Sequence, residues 1–349
     1  MTGRRRLFLD EGPGERRAVV LLEGLPERLW IERDGEPAPP SAAGARFRAR
    51  AARIERGLGL AFLDLGGGEE AVLALTGPAA AMAQGQAVEV EIAAPARRGK
   101  AAVAGWIGAA SGPPALLQPA PSLLDRLQAA APDCRIERGE AAREAADLAE
   151  EAVLVDIHPL GGGASLALER TRGLTAIDVD VGGAGGGDSR RGGAKVNRHA
   201  IYAAARLLRL KGLGGLVVFD LAGRGQDGPA VIEAAREAFA PEAPGVAFGP
   251  VSRLGVFHLA LPWRQRPVAE LLVDPDGAPA ARAVAQRMAR AIEGQAASAV
   301  RVRGVCAPEV AVAAGGALTA ALTGRLGPRF RIDAEPGRGR EDYEVRPHD

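Results

Sequence analysis

The sequence predicts a mixed α+β fold in more than one domain. Between residues 45 and 107, five short apolar strands alternate with glycine-rich turns, which is typical of a small antiparallel β-barrel. A proline-rich stretch follows, and beyond it helical periodicity alternates with apolar strands, as in an α/β unit. The length of 349 residues fits about two compact units.

Three short strands are predicted before the barrel. Within residues 5–33, apolar runs alternate with turns that contain Gly and Pro, which is the pattern of strands joined by tight connections. A Pro/Ala-rich break at 35–44 separates them from the barrel. We therefore assign residues 1–110 to an N-terminal unit of strands and barrel, and residues 111–121, which hold four prolines, to a linker.

Two α/β units are predicted after the linker, at residues 122–270 and 278–349. The first is predicted to contain helices at 123–127, 139–152, 197–210 and 229–239, and strands at 164–168, 174–180, 216–219 and within 246–261. The second is predicted to contain a helix at 281–293, a strand at 299–303, a helix at 308–325 and a strand at 329–333.

Composition excludes several classes of protein. The 44 Lys+Arg and 43 Asp+Glu give a net charge of +1, which argues against a polybasic tail but not against a local basic patch. Cys134 and Cys306 lie far apart, so neither a structural zinc site nor a disulfide scaffold is expected. No apolar run approaches the ~20 residues that span a bilayer, and no signal-peptide apolar segment follows the basic start. We therefore expect no membrane span and a cytoplasmic location.

The strongest chemical signal is a pair of aspartates that follow apolar strands. Asp178 ends the run Thr175-Ala176-Ile177, and Asp220 ends Val217-Val218-Phe219. Because ligands gather at the carboxyl ends of strands in α/β sheets, the two carboxylates are expected to bind a hard cation such as Mg²⁺ or Mn²⁺. Asp180 lies two residues on, on the same face, and is a third candidate ligand. The alternative is that each aspartate only caps a strand or a turn.

A glycine-rich loop is predicted at residues 182–193, before a helix. Its backbone amides, with Arg190, Arg191 and Lys195, could hold phosphates. The loop lacks the Gly-Lys-Ser/Thr ending of a Walker A motif, and a flexible solvated loop is the simpler interpretation. The four histidines do not cluster at metal-binding spacing, so each is interpreted as structural.

Several blocks together resemble the ribonuclease E/G family. They are the strand that contains Asp178 and Asp180, then Asn197 with its helix, then the run from Arg206 to Asp220, and finally Val251-Ser252-Arg253-Leu254-Gly255. The resemblance implies an RNase H-like α/β catalytic subdomain in which Asp178 and Asp220 bind Mg²⁺. Where the family usually has Asn, this chain has Asp180, and Leu254 replaces the usual Phe. Asn197 and Arg253 match positions near the active face of the family and are expected to contact RNA.

The predicted barrel resembles the OB-fold RNA-binding module of the same family. The resemblance implies that Phe62 is the base-stacking aromatic residue and that Lys100, with Arg97 and Arg98 beside it, contacts RNA. A second aromatic residue expected in the family is Val72 here. From the residues alone, Phe62 in the core and a solvated basic turn at 97–100 would be favoured.

Two parts of the family pattern are not recognisable. They are the sensor for a 5′-monophosphate end and, after Arg266, the Cys-Pro-x-Cys zinc link that joins protomers. The resemblance therefore implies a compact, divergent member with little or no 5′-monophosphate stimulation. Any homodimer would have to use another contact. The final unit resembles the small domain of the family.

Three functional hypotheses fit the sequence. The first is a Mg²⁺-dependent endoribonuclease that cleaves single-stranded RNA and leaves a 5′-phosphate and a 3′-hydroxyl. The second is a catalytically impaired RNA-binding protein or RNA chaperone, which Asp180 and Val72 favour. The third and weakest is a nucleotide-binding protein that uses the glycine-rich loop.

Overall fold

The computed structural model describes residues 3–36, 41–97, 99–182, 189–223 and 226–348, except for the side chains of residues 189–191. Three antiparallel strands open the chain, as the sequence predicts: β1 (Arg5–Gly12), β2 (Glu15–Leu22) and β3 (Leu25–Arg33). No helix in these described ranges is long and apolar enough to cross a membrane.

A closed, OB-like β-barrel of five strands follows, which confirms the predicted barrel. Its strands are β4 (Arg46–Glu55), β5 (Leu60–Gly66), β6 (Glu69–Ala74), β7 (Ala87–Ala94) and β8 (Ala102–Ala109). The barrel closes because β4 pairs with both β5 and β7, while β6 runs parallel to β8. A further strand, β9 (Ala115–Gln118), pairs with β4 inside the stretch interpreted as a linker.

The next unit is a six-stranded central sheet with helices. Its elements are α1 (Leu123–Ala130), β10 (Ile136–Glu137), α2 (Glu140–Leu154), β11 (Ile157–Gly161), β12 (Ala164–Arg170), β13 (Leu174–Asp180), α3 (Ser189–Lys211), β14 (Gly215–Asp220), α4 (Gly228–Ala238), β15 (Ala247–Phe248), β16 (Val256–Leu261) and α5 (Ala269–Leu272). The sheet order is β11-β12-β13-β14-β16-β15, whereas β10 joins the N-terminal sheet beside β1. The assignment of this unit to the RNase H-like class stays a prediction.

Helix α3 begins before the position that the sequence predicts. Its first residue is Ser189, so Lys195 lies in the helix rather than in a phosphate-binding loop. The glycine-rich run 183–188 lies outside the described residues, as do the side chains of Arg190 and Arg191. The phosphate-binding role of this segment therefore stays a prediction.

The C-terminal unit contains α6 (Ala281–Gln295), β17 (Val302–Cys306), α7 (Pro308–Ala313), α8 (Ala317–Leu326), β18 (Phe330–Ala334) and β19 (Glu344–Pro347). The single helix predicted at 308–325 is two helices, because Gly316 between them has a φ of 61°, which is a conformation that favours glycine.

The N-terminal strands share a hydrophobic core with the central sheet. Phe8, Val19 and Leu29 lie in one buried cluster with residues of α2, α3 and β12–β14, whereas the barrel has its own core. The domain boundaries drawn from the sequence stay a prediction. The packing shows, however, that β1–β3 support the central sheet rather than the barrel.

A buried arginine joins three parts of the structure. The Arg17 side chain is 0% exposed and donates to Asp10 on β1 and to Asp147 and Glu150 on α2, at 2.6–2.8 Å. The opposite charges of Glu150 and Asp10 outweigh the effect of burial and raise the pKa of Arg17. Arg290 on α6 pairs with Glu150 and with Glu15 on β2, so the network reaches the C-terminal unit.

We expect Arg17→Met to lower the free energy of unfolding by about 3–5 kcal/mol, because it leaves buried carboxylates without their counter-charge. Chemical denaturation measures the change. Arg16→Met on the same strand is the control, since Arg16 is exposed and its pairing with Glu32 is worth about 0–1 kcal/mol. Equal effects of the two substitutions would contradict a structural role for the network.

Candidate active site and nucleic-acid interface

The structure brings Asp178 and Asp220 together. Strands β13 and β14 are parallel, and the two aspartates are direct partners in their register. Partners on neighbouring strands lie about 4.8 Å apart and point to the same face. Ile177 and Phe219 are buried on the other face, and both aspartates are exposed. Two carboxylates therefore stand side by side at the carboxyl ends of two strands.

The chemistry of this donor pair fits a hard divalent cation. Two adjacent carboxylates repel each other when both are ionised, and a bound cation relieves that repulsion. Mg²⁺ in particular is held by one or two carboxylates, with water and substrate phosphate completing its octahedral coordination. Asp178 and Asp220 would hold such an ion.

The role of Asp180 as a third ligand stays a prediction. One of its carboxylate oxygens accepts a 2.8 Å hydrogen bond from the backbone N–H of Gly182, so this side chain also shapes the turn at the end of β13. A Cβ on Gly182 would lie only 2.0 Å from the carbonyl oxygen of Gly163, so this turn is closely packed. Among the described residues, no group of three or more His, Cys, Asp or Glu could hold a metal ion.

Asn197 anchors the chain that follows Asp220. The side chain is 1% exposed. Its amide accepts from the Ala222 N–H at 2.9 Å and donates to the Ala222 carbonyl at 3.0 Å and to Gln226 at 3.0 Å. Through these bonds Asn197 holds α3 to the loop, and its expected contact with RNA stays a prediction.

The turn with Arg253 lies beside the same loop. Val256, which opens β16, is the direct partner of Asp220, and the Leu221 N–H donates to the Gly255 carbonyl at 3.2 Å. Arg253 is exposed in this turn and forms no ion pair with another described residue. Leu254, next to it, is 88% exposed. Arg253 is therefore placed where a substrate phosphate near the aspartates could meet it.

Phe62 lies on the outer face of the barrel, which excludes the interpretation that it belongs to the core. Ala61 and Leu63 point inward, and Phe62 is half-buried outside. The Arg53 guanidinium sits 4.1 Å from the centre of the ring, a cation–π distance. Val72 is the direct partner of Phe62 on β6. In OB-folds the second and third barrel strands, here β5 and β6, carry the oligonucleotide-binding face.

The loop between β7 and β8 separates two residues that the sequence grouped together. Lys100 is exposed, whereas the Arg97 guanidinium lies 4.4 Å from the centre of the Trp263 ring, just after β16. Burial and the charge of Arg170 lower the pKa of Arg97. Arg97 thus contacts the central unit from the barrel, and its expected contact with RNA stays a prediction. Arg98, predicted with them, lies outside the described residues.

Sequence reasoning missed Trp263. The Arg170 guanidinium lies 5.8 Å from the centre of the same ring, so the indole lies close to two guanidinium groups. The only local signal was an aromatic residue within Pro262-Trp263-Arg264 directly after an apolar strand. Its partners come from residues far away in the chain, which no local pattern reveals.

The surroundings of His158 favour a structural role for this histidine. It is half-buried on β11, and burial together with the charges of Lys211 and Arg206 lowers its pKa to about 4. It is therefore neutral at physiological pH. Lys211 donates to the carbonyls of Val153 and Val155 at 2.7 and 2.6 Å and so fastens the end of α2.

The fold thus combines an OB-like barrel with a sheet that carries two adjacent carboxylates. Residues 142–266, which include both aspartates, Asn197 and Arg253, match the model of the ribonuclease E/G family. The match confirms the resemblance for this segment, and it suggests an RNA-cleaving hydrolase. No curated protein matches the chain.

We expect Asn197→Ala to destabilise the protein by about 1–3 kcal/mol, because it leaves buried polar groups of the loop unpaired. Hydrogen exchange at the Leu221 and Ala222 amides should also accelerate. Gln295→Ala is the control, since that amide makes only a long 3.5 Å contact with Ser298. Unchanged exchange at residues 221–222 would show that Asn197 does not hold the loop.

Proposed function

We propose that the chain is a metal-dependent endoribonuclease that cleaves single-stranded RNA. The observation that carries the proposal is the direct register of Asp178 and Asp220 within the segment that matches the ribonuclease E/G family. The exposed Phe62 face of the barrel supports an unpaired strand as substrate, because an aromatic ring stacks on a base only when that base is free.

Each residue of the site has a proposed role in metal binding or in hydrolysis of the phosphodiester. Asp178 and Asp220 would hold Mg²⁺, or Mn²⁺ in its place, and Asn197 fixes the backbone after Asp220. A bound Mg²⁺ would polarise the phosphodiester and activate the attacking water. In the hydrolysis, a water oxygen bonds to phosphorus and the bond to the 3′-oxygen breaks. The products are a 5′-phosphate and a 3′-hydroxyl.

Arg253 and Lys100 would contribute charge to substrate binding. Both are exposed, and neither forms an ion pair within the described part of the chain. Arg253 lies next to the aspartates, where it would neutralise charge on the reacting phosphate. Lys100 lies on the barrel, where it would contact the RNA backbone.

A second candidate function is an RNA-binding protein without catalysis. It is favoured by Asp180, where the ribonuclease E/G family usually has Asn, and by Val72 in place of a second aromatic residue on the barrel. The two candidates differ in one measurable property, since only the first breaks the phosphodiester.

We expect Asp178→Asn and Asp220→Asn each to lower the rate of Mg²⁺-dependent cleavage by about 10²–10³-fold, the cost of removing one group that stabilises charge at a reacting centre. The assay follows a labelled single-stranded RNA under single-turnover conditions. Asp133→Asn, an exposed aspartate between α1 and β10, is the control. RNA binding without cleavage by the parent chain would favour the second candidate.

We expect Phe62→Ala to weaken RNA binding by about 1–3 kcal/mol, the value of one base stacked on an aromatic ring, while Phe62→Trp retains binding. Fluorescence anisotropy with a labelled oligonucleotide measures both. Val312→Ala, the control, shortens an apolar side chain that is 81% exposed on the C-terminal unit and should leave RNA binding unchanged. Equal binding by all variants would remove the barrel face from the proposed interface.

A further inference from the structure

An exposed apolar floor lies beside the aspartate pair on the open face of the central sheet. Ala176 and Val218 are direct partners in the register, two residues before Asp178 and Asp220, and point to the same face. Both are only half-buried, and Leu216, two residues earlier on β14, is 42% exposed. Described helices cover the opposite face, so this one is open to a ligand.

His258 borders this floor. It is the direct partner of Val218 on β16, so its side chain points to the same face as the aspartates, and it is exposed. Asp220 is the direct partner of Val256, two residues before His258. That diagonal relation places the two residues about 7–8 Å apart, within reach of a ring-sized ligand.

Gly249 supports the imidazole ring. A Cβ built on Gly249 would lie 2.1 Å from Nε2, 2.4 Å from Cε1 and 2.6 Å from Cδ2 of His258. The ring therefore rests directly against the backbone at Gly249, and its exposure comes from its other side. The Gly249 N–H also donates to the His258 carbonyl at 2.9 Å, which fixes the two backbones together.

The negative charge of this face of the sheet favours contact with a base of the RNA over contact with a phosphate. Glu169, the direct partner of Ala176, is exposed there with Asp178 and Asp220. The residues of β12, β13, β14 and β16 that share this face include no Lys or Arg. A phosphate would be repelled beyond the metal position, whereas a neutral, flat base gains from apolar contact and stacking.

We propose that the free face of His258, the one turned away from Gly249, stacks a nucleobase of the RNA strand, with Ala176 and Val218 as the apolar surface between this ring and the phosphodiester held at Asp178 and Asp220. The inference rests on the proposed function and assigns it a base subsite at the central sheet, separate from the Phe62 face of the barrel. The imidazole is a stacking platform here and takes no part in proton transfer.

The test uses single-stranded RNA oligonucleotides that each lack one base at a different position around the cleavage site. Binding is measured by anisotropy in EDTA, and cleavage in Mg²⁺. For the parent chain we expect one position at which loss of the base weakens binding about fivefold to 150-fold, which corresponds to the 1–3 kcal/mol of one stacked base. In His258→Ala that penalty should disappear, and in His258→Phe it should persist.

Gly249→Ala tests the position of the imidazole ring most directly. It keeps His258 in the sequence, but the new Cβ would displace the ring. The φ of Gly249 is not in the left-handed region, so alanine suits the backbone. We expect Gly249→Ala to reduce the same position-specific penalty. His348→Ala, in the C-terminal unit, is the control and should retain it. Melting temperatures verify that every variant is folded.

The outcomes separate this inference from the proposed function. If folded His258→Ala still shows the position-specific penalty of the parent chain, the base subsite is overturned, even where the parent chain cleaves RNA. A penalty that disappears in His258→Ala, with no cleavage by the parent, supports the subsite and overturns the nuclease. A parent chain that binds no RNA, or shows no position-specific penalty, also overturns the subsite.

Discussion

The buried charge of Arg17 constrains most of the structure. A guanidinium with no exposure must be neutralised inside the protein, and its partners on β1 and α2 bring the N-terminal sheet and that helix into fixed register. Arg290 extends the same network to α6. Helices α2 and α3 then share their core with the N-terminal strands and the central sheet. Since α3 carries Asn197, which holds the loop after Asp220, the geometry of the candidate site depends on packing that begins far from it.

The site itself combines local and long-range placement. Backbone pairing of β13 and β14 places the two carboxylates side by side. The loop beyond them has little regular structure, so it needs Asn197 from one side and Gly255 from the other. The two strands hold the backbones of Asp178 and Asp220 in fixed register, so a cation bound between their carboxylates would offset the repulsion of two like charges.

The sequence predicted the features that depend on neighbours in the chain. The barrel strands, β13 and β14 with their terminal aspartates, and most helices follow from apolar periodicity, because each element presents one face to a core. Strand β9 was missed because prolines surround Leu116 and Leu117, and only pairing with β4 makes that segment a strand. The contacts that Asn197 and Arg97 make inside the protein were missed for the same reason. Their partners, Ala222 and Trp263, are distant in sequence, and a polar residue in the sequence does not reveal whether it faces a ligand or the protein interior.

The near-neutral charge of the chain bears on how it would recognise RNA. Several arginines of the described residues, among them Arg17, Arg33 and Arg209, are buried against carboxylates. These charges are therefore not available to neutralise phosphates. Recognition that rests on few phosphate contacts has a shallow dependence on salt and must draw its affinity from stacking. The half-buried ring of Phe62 on the barrel and the exposed ring of His258 beside the aspartates would supply such surfaces. The buried arginines support the fold, and in the proposed function these two rings contribute affinity for an unpaired strand by stacking on its bases.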